Sequence, residues 1–310
     1  MRIFLRRTFL FLLLLSAMLF AYVQSAKYFL RKHDGPDTKA QIEQSFKNAV
    51  ARDYDVLLLG NSRFYRGINP EKFSVPTYNF SHDNDSYNQV YHKLLFLEKK
   101  NKAFKTLVLG VDYFQFSFLS DSRNYAYAPF FDESYFNDFE SNVNVVSEIE
   151  NLRGKAKTLH IVKATTHTLL KAHPLPINLL RENGQYIAKS NEAGFGEVIR
   201  EYNKIPVLEN YFKKILKYAE DRKINVILLM PPAQARELSS YPDSVIAEYD
   251  RYFQSFENRV VHYLNYSRDS RFDSKDFFDF THLSESSADK FSVLVNNDIA
   301  RYLDSNEVKR

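Results

Sequence analysis

Apolar runs separated by stretches of helical periodicity set the pattern of this chain. Five runs predict short buried strands, at residues 56–59, 75–80, 106–111, 225–230 and 260–264. Between and after them, apolar residues recur at intervals of three and four, which predicts helices at 34–51, at 87–100, from Pro206 onward and after Ser284. Strands that alternate with helices indicate βαβ units. We therefore predict an α/β fold whose mostly parallel sheet is covered on both faces.

The N-terminus is apolar on every side. Residues 9–23 form a run of 15 residues without charge, preceded by Arg2, Arg6 and Arg7. This length lies between the apolar core of a signal peptide and the roughly 20 residues of a membrane span. Because Val23-Gln24-Ser25 lacks the Ala-x-Ala pattern of a cleavage site, we favour an uncleaved anchor over a cleaved signal peptide.

Basic residues flank the apolar run on both sides, so the positive-inside rule gives no orientation. N-terminal segments of this type export the chain that follows them. We predict a single-pass protein of a bacterial cytoplasmic membrane, with an anchor and juxtamembrane segment over residues 1–33. A domain over 34–310 then faces the periplasm or the cell exterior. Within it, residues 113–205 interrupt the alternation of strands and helices and predict an inserted cap, helical from 143 to 171.

Composition excludes several classes of function. The 310 residues are 45% hydrophobic and 26% charged, which are globular values, and a net charge of +4 is too small for a nucleic-acid-binding protein. The absence of cysteine excludes disulfides and thiolate chemistry. Aromatic residues are abundant, with 27 Phe and 21 Tyr. Many lie between Tyr113 and Phe139, where packing of the cap is a better explanation than a sugar-stacking platform.

A serine and an Asp-His pair follow two distant predicted strands. Ser62 follows the strand at 56–59, and ligands of open parallel sheets bind beyond the carboxyl ends of the strands. Asp279 and His282 follow the last predicted strand. A serine hydroxyl needs a base to accept its proton, and a carboxylate can orient that base through its other ring nitrogen. Alone, Ser62 is better explained as a helix N-cap, but together the three residues predict a Ser-His-Asp triad.

These blocks resemble those of the SGNH (GDSL-type) hydrolase family. Gly60-Asn61-Ser62 is similar to its nucleophile block, and Asp279-x-x-His282 is similar to its C-terminal block. The resemblance covers residues 53–112 and 206–303 and implies a three-layer α/β/α fold with acyl-ester hydrolysis or acyl transfer. With its anchor and Leu229-Met230-Pro231-Pro232, the chain looks like exported members that modify cell-surface polymers. Examples are the alginate O-acetylation proteins and the D-alanine transfer protein of teichoic acids.

Two intermediate blocks depart from the family's pattern. The family has Asn-x-Gly where this chain has Asn79-Phe80-Ser81, and Gly-x-Asn where it has Gly110-Val111-Asp112. The resemblance thus implies an oxyanion hole formed by Ser62, Ser81 and Asp112. An ionised Asp112 repels an oxyanion, and loss of one donor costs about 3 kcal/mol in the transition state. Asp112 therefore has three explanations: its carboxylate points elsewhere, it is protonated by burial, or the site is weak or inactive. Asn79 and Asn84 are candidates for a substitute amide donor.

Other polar residues near these blocks have two explanations each. Arg63 and Asn84 are candidate substrate-binding residues, and Arg63 and Arg66 suit an anionic glycan or acyl donor, although solvated surface arginines are more common. The run His82-Asp83-Asn84-Asp85 resembles a metal cluster, but a polar turn before a helix explains it better, since no second ligand set accompanies it. We expect no metal and no cofactor.

The leading hypothesis is an extracytoplasmic serine acyl esterase or O-acyltransferase that acts on a cell-surface saccharide or acylated polymer. Ser62 attacks the acyl carbonyl, His282 takes and returns the proton, and Asp279 orients His282. A membrane protein that donates the acyl group is an expected partner. The alternative is a non-catalytic SGNH-like binding or scaffold protein of a polysaccharide assembly complex. A third hypothesis is a cytosolic hydrolase whose N-terminus is not an export signal.

Overall fold

The computed structural model describes residues 1–33, 38–120, 123–138, 179–187 and 202–307. The N-terminus is one helix, α1 (Arg2–His33). Within it, Ile3–Tyr22 has a mean hydropathy of 2.0, and none of it is buried in the protein. Its 20 residues rise about 30 Å, which matches the hydrocarbon core of a bilayer. The structure thus contains the predicted apolar helix, long enough for a single membrane span.

The core is a five-stranded parallel sheet. In chain order the strands are β1 (Val56–Leu59), β2 (Thr77–Asn79), β3 (Thr106–Gly110), β4 (Leu179–Leu180), β5 (Tyr186–Ile187), β6 (Asn225–Met230) and β7 (Val261–Asn265). The sheet has the order β2-β1-β3-β6-β7, and β4 pairs with β5 in a separate antiparallel hairpin. The chain runs from β1 outward to β2, then returns to the other side of β1 for β3. This reversal creates a switch point between β1 and β3, where open α/β sheets bind their ligands.

Helices cover both faces of the sheet. The remaining helices are α2 (Thr38–Ala51), α3 (Ser62–Gly67), α4 (Tyr87–Lys99), α5 (Asn124–Tyr127), α6 (Pro206–Asp221), α7 (Ala235–Leu238), α8 (Asp243–Gln254) and α9 (Glu285–Glu307). Single 3₁₀ segments lie at Pro70–Lys72, Glu133–Asp138 and Ser274–Asp276.

Alternation along the strands divides the core between two helical layers. Leu57 and Leu109 belong to a cluster that includes residues of α2, α4, α6 and α8. Their neighbours Leu58 and Val108 belong to a second cluster with residues of α3 and α9. Successive side chains of a strand point to opposite faces, so a strand buried on both sides reads as an unbroken apolar run. The predicted three-layer α/β/α class is confirmed.

Local sequence signals place the helix starts close to their predicted positions. Ser86 and Gln89 form a capping box at the start of α4, in which the Ser86 N–H donates to Gln89 Oε1 at 2.9 Å. Pro206 is the first residue of α6, where its missing N–H costs no hydrogen bond. Both starts match the helices predicted at 87–100 and from Pro206.

The aromatic residues after β3 pack into the main core. Tyr113, Phe116, Tyr127 and Tyr135 are fully buried in the same cluster as Phe46 of α2. Aromatic rings supply large buried areas, so this part of the predicted cap at 113–205 stabilises the sheet layer as well. The predicted helix at 143–171 lies outside the described residues.

The β4–β5 hairpin from the same segment contacts the edge of the sheet. The Asn79 N–H of β2 donates to Asn183 O at 3.0 Å. Gly184 follows with φ of +91°, and a Cβ there would lie 1.8 Å from Asn79 O. Only glycine tolerates both this backbone conformation and this approach. The hairpin is thereby held beside β2, and Gln185 Nε2 reaches Arg66 O of α3 at 3.2 Å.

Candidate active site

Ser62 lies at the carboxyl edge of the sheet, at the switch point. Asn61 caps α3 by accepting from the Arg63 N–H at 2.9 Å, and Ser62 is the first residue of the helix. The Phe64 ring packs over the ends of β1 and β3, where a Cβ on Gly60 or Gly110 would come within 2.8 or 2.9 Å of it. The two glycines therefore let α3 begin immediately after β1. The result is a half-buried serine at the end of a central strand.

Ser62, His282 and Asp279 form one hydrogen-bonded line. Ser62 Oγ lies 2.8 Å from His282 Nε2. His282 Nδ1 lies 2.7 Å from Asp279 Oδ2 and 2.9 Å from Asp279 Oδ1. The structure thus brings together the three predicted triad residues, at distances within hydrogen-bond reach for proton transfer.

The loop after the Ser274–Asp276 segment fixes the acid and the base. Asp279 Oδ1 accepts the backbone N–H groups of Thr281 and His282, both at 2.8 Å. The Asp279 carbonyl oxygen accepts from Gln234 Nε2 at 2.6 Å, across the sheet edge from the β6 side. Asp279 is therefore held through its carboxylate by its own turn and through its backbone by a neighbouring loop, and Oδ2 makes the shorter contact with His282 Nδ1.

The charges of this pair determine the imidazole tautomer. Burial opposes ionisation of Asp279, but hydrogen bonds from the His282 side chain and from two backbone N–H groups hold the pKa of Asp279 below its ordinary value. An ionised carboxylate only accepts, so His282 Nδ1 carries the proton that it donates to Asp279. His282 Nε2 then has a free lone pair, which accepts a hydrogen bond from the Ser62 hydroxyl. This is the arrangement that a general base requires.

His282 is held in its neutral form. Burial lowers the pKa of His282, the hydrogen bond to Asp279 raises it, and the positive charge of Arg66 lowers it again, with a net pKa below the ordinary 6.5. Only neutral imidazole accepts a proton, so the rate of any reaction based on Ser62 rises with pH through this lowered pKa. We therefore expect full activity at pH values where an unperturbed histidine is still partly protonated.

Arg66 and Asp83 lie close enough to His282 to affect its charge, and Arg123 contacts the backbone of Asp83. Arg66 lies one helical turn beyond Ser62 and donates through Nε and Nη2 to both Asp83 oxygens, at 3.0 and 2.8 Å. Arg123 donates to the Asp83 carbonyl oxygen and lies 2.9 Å from His82 Nδ1. Burial raises the pKa of Asp83, but Arg66 and its neighbours lower that pKa to about 2. Asp83 is therefore ionised and holds Arg66 beside the triad.

Replacing Arg66 with glutamine is expected to move the acid limb of the pH–rate profile to higher pH. The substitution removes a positive charge that lowers the pKa of His282, and it frees the negative charge of Asp83, which raises the same pKa. Both changes act in one direction. The measurement is the pH dependence of the rate at which a fluorophosphonate probe labels Ser62, with Arg52→Gln as the matched control because Arg52 pairs with Glu182 on the surface. An acid limb that stays in place or moves to lower pH in Arg66→Gln would contradict this assignment.

The two residues predicted for the oxyanion hole besides Ser62 have other partners. Asp112 is buried and accepts Arg63 Nη1 at 2.8 Å and the Tyr113 N–H at 2.9 Å. Of the three explanations for this residue, the geometry matches the first, in which the carboxylate points elsewhere. The Ser81 N–H donates to Asn79 Oδ1 at 3.1 Å. The Asp112 carboxylate and the Ser81 N–H are therefore both engaged within the protein.

Three further amides are candidates for that task. Asn79 Nδ2 donates to Phe64 O and Ile68 O at 2.8 and 3.1 Å, so it caps the end of α3. Asn84 is exposed in the turn after β2 with φ of +62°, and its side chain has no hydrogen-bond partner among the described residues. Within the same part of the chain, the Ser62 N–H also lacks an acceptor. Of these three amides, the Ser62 N–H and the Asn84 side chain have no partner among the described residues and can donate to a ligand.

Arg63 lies beneath the site, although its sequence position suggested a substrate contact. Only 3% of its side chain is exposed, and its guanidinium contacts Asp112, Glu237 and the Pro232 carbonyl oxygen. Burial opposes its charge, but the two carboxylates raise the pKa of Arg63 above its ordinary value. A side chain with these contacts binds protein groups in place of substrate.

The predicted polar turn at 82–85 precedes α4, and its two carboxylates pair with basic residues. Asp83 binds Arg66, and Asp85 binds Lys93 Nζ at 2.6 Å in the interior. Among the described residues, no group of three or more His, Asp and Glu side chains is arranged to hold a metal ion.

Sequence reasoning did not find three of the supporting residues. Gln234 holds the Asp279 loop, Arg123 holds Asp83 in place, and Gln115 Oε1 accepts Asn61 Nδ2 at 2.6 Å beside the nucleophile. Each lies far along the chain from its partner, in a segment without periodicity. For Gln115 and Gln234, the available signal was a position within five residues of the ends of β3 and β6, at the edge where ligands bind.

Comparison with known proteins adds one finding. A family profile for a domain of unknown function matches residues 185–304, which is less than half of the chain and includes Asp279 and His282 but not Ser62. No curated protein matches the chain at a significant level. The function is therefore inferred from the geometry of the site.

Proposed function

We propose that this protein is a serine acyl esterase or O-acyltransferase of the SGNH type that acts on a saccharide of the cell surface. The observation that carries the proposal is the line from Ser62 Oγ through His282 to Asp279, with distances of 2.8 and 2.7 Å. The alternative explanation, that Ser62 is a helix N-cap, is wrong because Asn61 caps α3. Here the imidazole is neutral, its tautomer is fixed, and it accepts from the serine hydroxyl.

The first half-reaction forms an acyl-enzyme. Ser62 Oγ attacks the carbonyl carbon of an ester while its proton passes to His282 Nε2, and Asp279 stabilises the resulting imidazolium. Collapse of the tetrahedral intermediate breaks the bond to the leaving alcohol, which takes the proton from His282. In the second half-reaction, water or an acceptor hydroxyl gives its proton to His282 and attacks the acyl carbon, which restores Ser62 and releases the acid or the new ester.

The oxyanion requires donors other than those of the SGNH pattern. The Ser62 N–H is adjacent to the reacting oxygen, and we assign it as the first donor, with the Asn84 side chain as the second. Each such donor contributes about 3 kcal/mol to transition-state stabilisation. Arg66 lies on the same side of α3 as Ser62. Because its guanidinium is fixed on Asp83, it limits the directions from which the acyl group can approach Ser62.

A saccharide of the cell surface is proposed as the substrate because of the N-terminal helix. Ile3–Tyr22 is apolar enough to hold the domain at a membrane, and N-terminal helices of this type direct export. The domain would then face the periplasm or cell exterior, where acylated polymers and a membrane-bound acyl donor are available. Transfer in place of hydrolysis requires that an acceptor hydroxyl displace water from the acyl-enzyme.

A second function, binding of acylated saccharide without turnover, is favoured by one observation. The Ser81 N–H and the Asp112 carboxylate are engaged within the protein, which leaves fewer oxyanion donors than an efficient hydrolase uses. An intact triad argues against this alternative, because a binding protein has no use for a fixed general base.

The test is hydrolysis of an activated acetyl ester by the full-length protein in detergent, with and without a saccharide acceptor. Wild type is expected to release the leaving group, and Ser62→Ala to reduce kcat to the background rate. The matched control is Ser255→Ala, because Ser255 is exposed at the end of α8 and its hydroxyl donates to Tyr252 O of that helix. Equal rates in wild type, Ser62→Ala and buffer would exclude the enzyme and leave the binding function.

A further inference from the structure

We propose that Arg63 is a positioning residue that holds Ser62 at hydrogen-bond distance from His282, an inference that rests on the proposed function. Arg63 follows Ser62 directly and is the second residue of α3. Its guanidinium does not face the triad, so it acts through the backbone of the nucleophile turn. This role follows from the groups that its guanidinium connects.

Arg63 binds the ends of two neighbouring strands of the sheet. Nη1 donates to Asp112 Oδ2 at 2.8 Å, just after β3, and Nη2 donates to Pro232 O at 2.5 Å, just after β6. Nη1 also lies 3.5 Å from Glu237 Oε1 on α7. Arg63 itself follows β1. One planar guanidinium thus ties together the carboxyl ends of β1, β3 and β6, and its rigid geometry fixes their spacing.

The loop that receives Arg63 also supports the base. Residues 231–234, the β6 loop, contain Pro232, which accepts from Arg63, and Gln234, whose Nε2 donates to Asp279 O at 2.6 Å. The β6 loop therefore contacts the nucleophile side and the base side of the triad within three residues. Because Ser62 and His282 come from distant parts of the chain, this shared support sets the distance between them.

Burial makes these contacts obligatory. The side chains of Arg63, Asp112 and Glu237 are 3%, 2% and 1% exposed. A buried charge that loses its partner is unfavourable, so the guanidinium has one low-energy arrangement. Lysine carries the same charge but presents a point charge in place of a planar fork. Arg63→Lys is therefore expected to leave a folded protein whose Ser62 turn is displaced.

The experiment measures the rate at which a fluorophosphonate probe labels Ser62 as a function of pH, in the full-length protein in detergent. The wild-type rate should rise to a plateau once His282 is neutral, because His282 activates Ser62. In Arg63→Lys the labelling rate is expected to fall about 10- to 100-fold, because a displacement of Ser62 by about 1 Å from His282 reduces the rate by that factor. The plateau should disappear as well, because Ser62 without its base reacts only in proportion to hydroxide.

The profile separates positioning from a merely structural role. Partial unfolding lowers the rate by one factor at every pH and keeps the plateau, so a retained wild-type profile in Arg63→Lys would overturn the inference. The matched control is Arg52→Lys in a surface ion pair, which should keep rate and profile. Absence of labelling in the wild type would instead overturn the proposed function.

A second variant keeps the inference testable if Arg63→Lys does not fold. Asp112→Asn preserves size and removes the charge that anchors Arg63. If Asp112 serves as that anchor, the labelling rate falls. If Asp112 instead lies at the oxyanion, the asparagine amide becomes a new donor and the labelling rate rises. An unchanged or higher labelling rate would overturn the inference.

Discussion

Replacing His282 with glutamine is expected to lower kcat for ester hydrolysis by a factor on the order of 10⁶. Glutamine is similar in size and can accept from Ser62 Oγ, but it cannot take the serine proton. Without that transfer, the serine oxygen keeps its proton when it bonds to the carbonyl carbon and becomes positively charged, which makes the attack unfavourable. The expected loss is large because the serine and the histidine of a triad act as one unit. Removal of either residue therefore removes the rate enhancement that the pair provides.

The control for this variant is His262→Gln on β7. His262 is partly buried, and its ring stacks on that of Tyr302 of α9 with a centroid distance of 4.3 Å. It should keep kcat close to that of wild type. A loss below 10-fold in His282→Gln, with thermal stability unchanged, would show that the 2.8 Å contact to Ser62 is structural.

Replacing Lys93 with methionine is expected to lower the free energy of unfolding by about 3–5 kcal/mol. Lys93 Nζ donates to Asp85 Oδ2 at 2.6 Å and to Phe80 O at 2.7 Å, and both charged side chains are 1% exposed. Burial raises the pKa of Asp85 and lowers the pKa of Lys93. Each charge therefore depends on the other. Methionine fills the space but leaves the carboxylate buried without its cation.

The matched control is Lys99→Met on the same helix. Lys99 pairs with Asp132 at the surface, where both side chains are more than half exposed, so the expected cost is below about 1 kcal/mol. Denaturant titration of the full-length protein in detergent measures both. Addition of Asp85→Leu to Lys93→Met should recover part of the loss, because it removes the unpaired charge. A cost of less than 1 kcal/mol for Lys93→Met alone would contradict this account.

The buried pair also connects stability to the site. The Asp85 carbonyl oxygen accepts from Gln115 Nε2 at 3.0 Å, and Gln115 Oε1 accepts from Asn61 Nδ2 at 2.6 Å. Asn61 in turn caps the helix that begins at Ser62. Disturbance of the Lys93–Asp85 pair should therefore reach the nucleophile through two hydrogen bonds, whereas disturbance of the Lys99–Asp132 pair should not.

The sequence predicted the sheet well because its strands are buried on both faces. The apolar run 226–230 is too short for a buried helix and suits a strand covered on both faces. With Asn225 before it, it forms β6 without shift. The triad residues could also be predicted, since Ser62, Asp279 and His282 follow strands whose carboxyl ends meet at one edge. Their placement depends on topology more than on side-chain detail.

The contacts around the triad could not be predicted in the same way. Arg63 looks like a surface residue in the sequence, and its burial depends on Asp112, Pro232 and Glu237, which converge only in three dimensions. In the sequence, Asp83 likewise belongs to a polar turn. It binds Arg66 only because the folded chain places β2 beside α3. Pairing of buried charges across loops leaves no periodic signal.

The central claim is that Ser62 is a nucleophile activated by His282. The most direct test is the reaction of the folded full-length protein with a fluorophosphonate probe, followed by peptide mapping of the adduct by mass spectrometry. We expect one adduct, on Ser62, that forms quickly in wild type and is lost in His282→Gln. Recovery of unmodified Ser62 from folded wild-type protein, or equal labelling in His282→Gln, would contradict it.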